Sequence, residues 1–305
     1  MIYLSLKYEM KEEIIKSENV AVVVQGAIDK VNTSLCLASV RKHLPNSQIV
    51  LSTWEDSKVD KLDYDDLILN KDPGPIVSRL NGSIDNTSRQ IISTYAGIKK
   101  ANRKYVLKIR TDCVMNSDFF LTYFYSYPKK NPNYEFFKGK VLACTLFSKR
   151  FLDRHSLIPT PFHVSDWFQF GYKDDLSLLW DIPVIEDDNY DNYNQGIEQA
   201  YKGLWMSNRY SAEQYILYKS IIKKYTNVSF DNLLDFNSVN ISFSERFIAN
   251  NFILKSPQSL GFLIYKQPYN QQIENYQRFL DEQPGCLIDE NEYELLYKKY
   301  CCGGF

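Results

Sequence analysis

The chain has 305 residues, enough for one large domain or two small ones with a sizeable core. Its formal net charge is −1, from 36 Lys and Arg against 37 Asp and Glu, so it lacks the overall basic field of a nucleic-acid binder. Six cysteines with no C-x-x-C pair and only three histidines argue against a zinc site, and no stretch approaches ~18 consecutive apolar residues, the length that reads as a membrane span.

Residues 1–18 are mixed and charged, with no basic segment followed by an apolar run, so they read as peripheral rather than as a leader. Val20 to Val24 is a continuous apolar run, expected as a strand buried on both faces and ending in Gln25 and Gly26. Asn32, Thr33 and Ser34 offer caps for a helix reaching about Leu44, where Pro45 stops it. Gln48 to Ser52 reads as a second strand, followed by Thr53, Trp54, Glu55 and Asp56, and Leu67 to Asn70 as a short third. Alternation of strand and helix predicts an α/β fold with a mostly parallel, Rossmann-type sheet flanked by helices.

Asn86, Thr87 and Ser88 can cap a second helix, with Ile91, Tyr95 and Ile98 at core spacing and Arg89 and Gln90 at its start. That helix leads into Tyr105 to Cys113. Here Tyr105, Leu107 and Ile109 alternate with Val106, Lys108 and Arg110, the period of a strand with unlike faces. The strand releases Arg110, Thr111 and Asp112 at its carboxyl end, where open α/β sheets bind ligands. Asp112, with Lys108 and Arg110 beside it, offers a place for a metal and a phosphate.

The aromatic stripe from Asp118 to Tyr127 reads as core, and Val141 to Phe147 as a further strand. Phe162 to Gly171 is a strand-like apolar run containing one acid, Asp166, which needs a partner if it lines the core. Residues 186–194 read as an acidic loop whose spacing matches no calcium site. Ser211 to Gln214 forms a capping box for a helix reaching about Lys224, with Glu213 in its first turn. Ser242 to Glu245 opens another helical piece. The remaining C-terminal residues read as helix and loop punctuated by Pro257, Pro268 and Pro284. His43, His155 and His163 lie near no Ser or Cys nucleophile and are expected to be structural, and Cys36 and Cys144 to be reduced core residues.

No P-loop, no Gly-x-Gly-x-x-Gly after the first strand and no Gly-x-Ser-x-Gly elbow is present, which disfavours P-loop nucleotidases, dinucleotide enzymes and α/β-hydrolases. Instead, an ordered set of short segments resembles one family. They are Val23 to Gly26, Ser39 to Arg41, Leu44 with Pro45, Ile49 to Glu55, Asp72 to Gly74, Asn86 with Arg89 and Gln90, Lys108 to Asp112, Ser165 to Phe168 with Gly171, and Ala212 to Tyr215. Over roughly residues 20–220 this resembles the WavE lipopolysaccharide-synthesis family of bacterial glycosyltransferases.

The resemblance implies a GT-A-like fold over residues 1–240, with a nucleotide-binding half at about 19–115 and an acceptor-binding half at about 116–240. Residues 241–305 are then a helical or irregular extension packed on the same domain. It implies transfer of a sugar from a nucleotide-diphosphate donor to an oligosaccharide or glycolipid acceptor in surface polysaccharide (lipopolysaccharide or capsule) synthesis. Reduced core cysteines, the lack of a leader-like segment and the lack of a membrane-spanning run make a cytoplasmic location the expectation from the residues themselves, with room for peripheral contact at the cytoplasmic face of the inner membrane. Gln25, Gly26, Thr53, Trp54, Glu55, Arg89, Gln90 and Arg110 are expected to hold the donor. Asp112 is expected to bind Mn²⁺ or Mg²⁺, and Glu213 or Asp166 to take the acceptor proton. GT-A enzymes usually carry Asp-x-Asp at the metal site, whereas Arg110 occupies the first of those positions here. Arg110 is therefore the alternative to the metal as the positive charge facing a diphosphate, with the metal preferred on sequence. A sugar nucleotidyltransferase and a non-catalytic carbohydrate-binding or assembly subunit are the competing readings. The loop after the first strand is poor in the Gly, Lys and Arg that the nucleotidyltransferase needs.

Overall fold

The computed structural model of the protein describes residues 14–77, 84–152, 157–185, 209–233, 235–264 and 285–303. The acidic loop expected at 186–194, His155 and Pro268 and Pro284 lie outside the described residues. Strand β1 (Val20–Gln25) is the apolar run, and every residue of it is buried. It leads through helix α1 (Lys30–His43) to β2 (Gln48–Trp54) and then to β3 (Asp66–Asn70). Two short strands, β4 (Ile76–Val77) and β5 (Ile84–Asp85), precede α2 (Thr87–Lys100), which returns the chain to β6 (Tyr105–Arg110). There follow β7 (Cys113–Met115), α3 (Phe120–Tyr123), β8 (Val141–Cys144), β9 (Phe168–Tyr172) and α4 (Lys173–Trp180). The last elements are α5 (Ala212–Ile221), α6 (Ser238–Asn251), β10 (Phe252–Lys255), α7 (Pro257–Leu260), β11 (Phe262–Ile264) and α8 (Glu290–Cys301).

Seven strands form one sheet in the order β10-β8-β9-β6-β1-β2-β3. Pairing is parallel between β3, β2, β1 and β6 and between β8 and β10, whereas β9 runs antiparallel to both β6 and β8. The chain leaves β1 towards β2 and β3, then crosses back to place β6 on the other side of β1. These crossovers in opposite directions open a crevice at the carboxyl ends of β1 and β6.

Local chemistry sets several boundaries. Helix α1 begins earlier than the Asn32–Ser34 caps predict, because Asp29 Oδ1 accepts from Val31 N at 3.1 Å and Asn32 N at 2.7 Å. Gly97 on α2 lies so close to Val23 that a Cβ there would collide with it, which lets the helix pack tightly on the sheet. The aromatic stripe is core as expected, with Phe120 and Phe124 packed edge-on against Phe170 at 4.9 Å and 5.3 Å. The run from Phe162 is strand only from Phe168 onward; its first half is buried irregular chain.

The C-terminal segment is more than helix and loop. Its β10 is an edge strand of the main sheet, and β11 pairs antiparallel with β7. Helix α8 packs on α6 and β10, and Tyr293 donates its hydroxyl to the Phe252 carbonyl at 2.5 Å. No helix among the described residues is long and apolar enough to cross a membrane.

Candidate active site

The parallel strands bring their carboxyl ends to one rim. A cleft of about 1250 Å³ opens there, lined by Gln25 and Gly26 after β1, Trp54 and Asp56 after β2, Asp72 after β3, Arg89 and Gln90 on α2, and Arg110 and Asp112 after β6. Gln25 Oε1 lies 2.7 Å from Ser93 Oγ, which fixes its amide against α2. Gly26 has φ +119°, a backbone conformation that favours glycine, whereas a Cβ there would meet Thr111 Oγ1 only at an ordinary contact of 3.5 Å. Thr53 and Glu55 do not line the cleft. Thr53 is buried, with its hydroxyl 2.9 Å from Ser57 Oγ, and Glu55 is exposed on the outside of the turn. Their neighbours Asp56, Ser57 and Lys58, and the α1 start at Asp29, Lys30 and Asn32, line the cleft instead.

Both cleft arginines are held in two-point pairs. Arg110 donates Nε to Asp112 Oδ1 at 2.8 Å and Nη2 to Oδ2 at 2.7 Å. Its guanidinium lies 4.4 Å from the centroid of Trp167, whose ring stacks on Phe147 at 5.2 Å. Arg89 donates Nε to Asp72 Oδ1 at 2.7 Å and Nη2 to Oδ2 at 2.5 Å, and Nη1 to Asn86 Oδ1 at 3.1 Å. Lys108 does not reach this cleft, contrary to the expectation from its position beside Arg110. It is fully buried, donating to the Asp166 carbonyl and lying 4.9 Å from the Trp180 ring centroid.

The antiparallel strand delivers a second group of residues to the same rim. Since Ile109 pairs with Phe168, the residues just before β9 sit beside the end of β6. Asp166 is 2% exposed, its Oδ2 lies 3.7 Å from Lys108 Nζ, and that oxygen accepts no hydrogen bond among the described residues. Burial pulls the Lys108 ammonium below its ordinary range, with Asp166 opposing. Glu213 occupies the first turn of α5, where Ser211 and Gln214 form the expected capping box. Gln214 Nε2 also donates to the Pro161 carbonyl at 2.9 Å, docking the helix start on the segment that carries His163.

His163 Nε2 lies 3.6 Å from Glu213 Oε2, and its Nδ1 is 2.9 Å from the Phe147 carbonyl. A carbonyl only accepts, so Nδ1 carries the proton and the neutral ring turns its lone pair towards Glu213. Burial keeps the ring neutral by pushing its pKa down to about 3. Burial, and then the nearby Asp166 charge, pushes Glu213 up to about 7. Phe147 and Phe162, which flank this contact, both sit at positive φ (63° and 61°), a conformation that costs a bulky residue on the order of 1–3 kcal/mol. Sequence reasoning treated His163 as structural, because nothing in its apolar surroundings marks the contact with Glu213.

The divalent ion implied by the resemblance was assigned to Asp112. Both of its oxygens are taken by Arg110, and among the described residues no group of three or more His, Cys, Asp or Glu side chains converges to hold a metal. One carboxylate already neutralised by a guanidinium does not fit an ion caged by these residues alone.

Fold and site together define a Rossmann-like α/β protein with a charged crevice at the switch point of its sheet. The chain belongs to the WavE lipopolysaccharide synthesis family, which matches residues 20–303 and therefore takes in the C-terminal segment as well. No curated protein matches the chain at a significant level.

Proposed function

We propose that the protein is a glycosyltransferase of GT-A type that takes a sugar from a nucleotide-diphosphate donor and adds it to a lipopolysaccharide or related surface-polysaccharide acceptor. The observation that carries this reading is the arginine-bearing crevice at the β1–β6 switch point; Glu213 does not line it but lies near Asp166, just before the strand that pairs with β6. A nucleotide fits the crevice, which lies where open α/β sheets bind such ligands. Gln25, Gly26 and Trp54 would border the nucleoside, while Arg89 and Arg110 would face the diphosphate, where negative charge develops as it leaves.

The transfer forms a bond from an acceptor hydroxyl oxygen to the anomeric carbon and breaks the bond from that carbon to the diphosphate. In a direct displacement the hydroxyl proton needs a base. Glu213, titrating near pH 7 and held by a helix start, has the right range and a fixed position for that task. Asp166, whose Oδ2 is buried 3.7 Å from the Lys108 ammonium, is the second candidate for the base. A Mn²⁺ or Mg²⁺ ion would find in Asp112 a single carboxylate and would draw its remaining ligands from the donor and water. A lipopolysaccharide-related acceptor is suggested by the family's role in lipopolysaccharide synthesis.

The test is release of free nucleotide from a panel of nucleotide sugars, with and without a divalent metal. Glu213→Gln should cut transfer by at least about a hundredfold, the usual worth of a positioned base, while donor affinity stays within about twofold of wild type. Lost donor affinity with transfer retained would move Glu213 from the acceptor proton to the donor.

A further inference from the structure

Arg89 and Arg110 approach the crevice from opposite sides of β1, one from the start of α2 and one from the end of β6. Each guanidinium presents its fork to a carboxylate of the same chain, with both oxygens engaged. The fork that grips a carboxylate also matches two oxygens of a phosphate. We propose that Asp72 and Asp112 are internal placeholders for the phosphate groups of a diphosphate ligand, which displaces them from Arg89 and Arg110 on binding. This rests on the nucleotide-diphosphate reading of the crevice and adds how the free protein keeps that site.

Three features of the pairs favour exchange. The arginines belong to regular elements, whereas Asp72 and Asp112 lie on connecting turns. Each arginine also has a second hold that does not involve the carboxylate: Trp167 under Arg110 and Asn86 beside Arg89. All four side chains are partly open, at 18% and 16% for the Arg110 pair and 29% and 32% for the Arg89 pair, so a ligand in the crevice can reach them. A consequence is selectivity. A ligand must supply two anionic groups to replace both carboxylates, so a monophosphate displaces one pair and leaves the other closed.

Titration calorimetry on the full chain, in the presence of a chelator, tests this with inorganic pyrophosphate, UDP, GDP and UMP. Wild type, Asp72→Asn and Asp112→Asn are compared, each with its melting temperature as a check on folding. Each variant removes one competitor and should bind the diphosphates roughly five- to tenfold tighter than wild type, the size of a modest coupling between sites. UMP, which opens one pair, should gain from only one of the two changes, whereas UDP gains from both. If wild type binds diphosphates and a folded variant does not bind them more tightly, the placeholder role of the two carboxylates is wrong while the diphosphate site stands. If no form binds any of the phosphates, the reading of the crevice fails and takes this inference with it. The pairs are separate, so either folded variant alone decides the outcome.

Discussion

Glu213 is mostly but not fully buried, its side chain 14% exposed; it lies near Asp166 and faces the lone pair of a neutral His163. Its ordinary pKa is 4.5 and it is pushed up to about 7 in the fold, so between those values the folded protein holds a proton that the unfolded chain has released. Stability from this group is therefore complete below about pH 4.5 and is lost as the pH rises towards and through about 7. Glu213→Gln removes the titration. Relative to wild type, the variant should gain about 2–4 kcal/mol of stability between about pH 5 and 8, the worth of a shift of two to three units. Urea unfolding at a series of pH values measures this, and parallel pH dependences for the two proteins would contradict the environment described for Glu213. The opposite titration of His163, pushed down to about 3, is present in both proteins and cancels to first order in the comparison. At this scale the sequence was legible where chemistry is local. The capping box marked Glu213, and the strand end marked Arg110 and Asp112. His163 and Lys108 were not legible, because the groups that define them, Glu213 for one and Asp166 with Trp180 for the other, lie about 50 residues or more away in the chain.

At the scale of elements, the connection from Glu135 to Gly139 is held by polar side chains rather than by its own regular structure. Asn251 Oδ1 accepts from Phe136 N at 2.8 Å and Phe137 N at 3.1 Å, and Asp175 accepts from Lys138 N at 2.7 Å and Gly139 N at 2.8 Å. Asn251 is fully buried at the junction of α6 and β10. Asn251→Ala would leave two buried N–H groups without an acceptor and should cost about 2–4 kcal/mol, read as a lower urea midpoint with an unchanged slope. A change within 0.5 kcal/mol would show that water replaces the amide, about the range of a silent surface substitution. Strand β1 could be read from its apolar run, since burial on both faces leaves a signal in the sequence; β6 could be read from its alternation, but its second face, with Lys108, is buried as well. The reversed direction of β9 could not be read, because pairing direction leaves no mark on the strand itself. The C-terminal strands were missed for a related reason: β10 and β11 are short and follow helical segments, so their apolar residues blend into the pattern around them.

At the scale of the whole molecule, a single sheet organises two sets of residues. The β3-β2-β1-β6 part carries the crevice and its paired arginines, and the β9 side carries Asp166 and stands against Glu213. The antiparallel strand joins them, since its start meets the end of β6. Membership of the WavE family places the chain in lipopolysaccharide synthesis, and the rim is where the proposed transfer would occur. The most direct test is to incubate the protein with UDP-sugars, GDP-sugars and CMP-sugars, with and without Mn²⁺, and measure nucleotide release. The account predicts that at least one diphosphate-linked donor releases its nucleotide with wild type and that Glu213→Gln abolishes sugar transfer from it. Turnover confined to a CMP-linked donor, or no release and no binding with any donor, would contradict it.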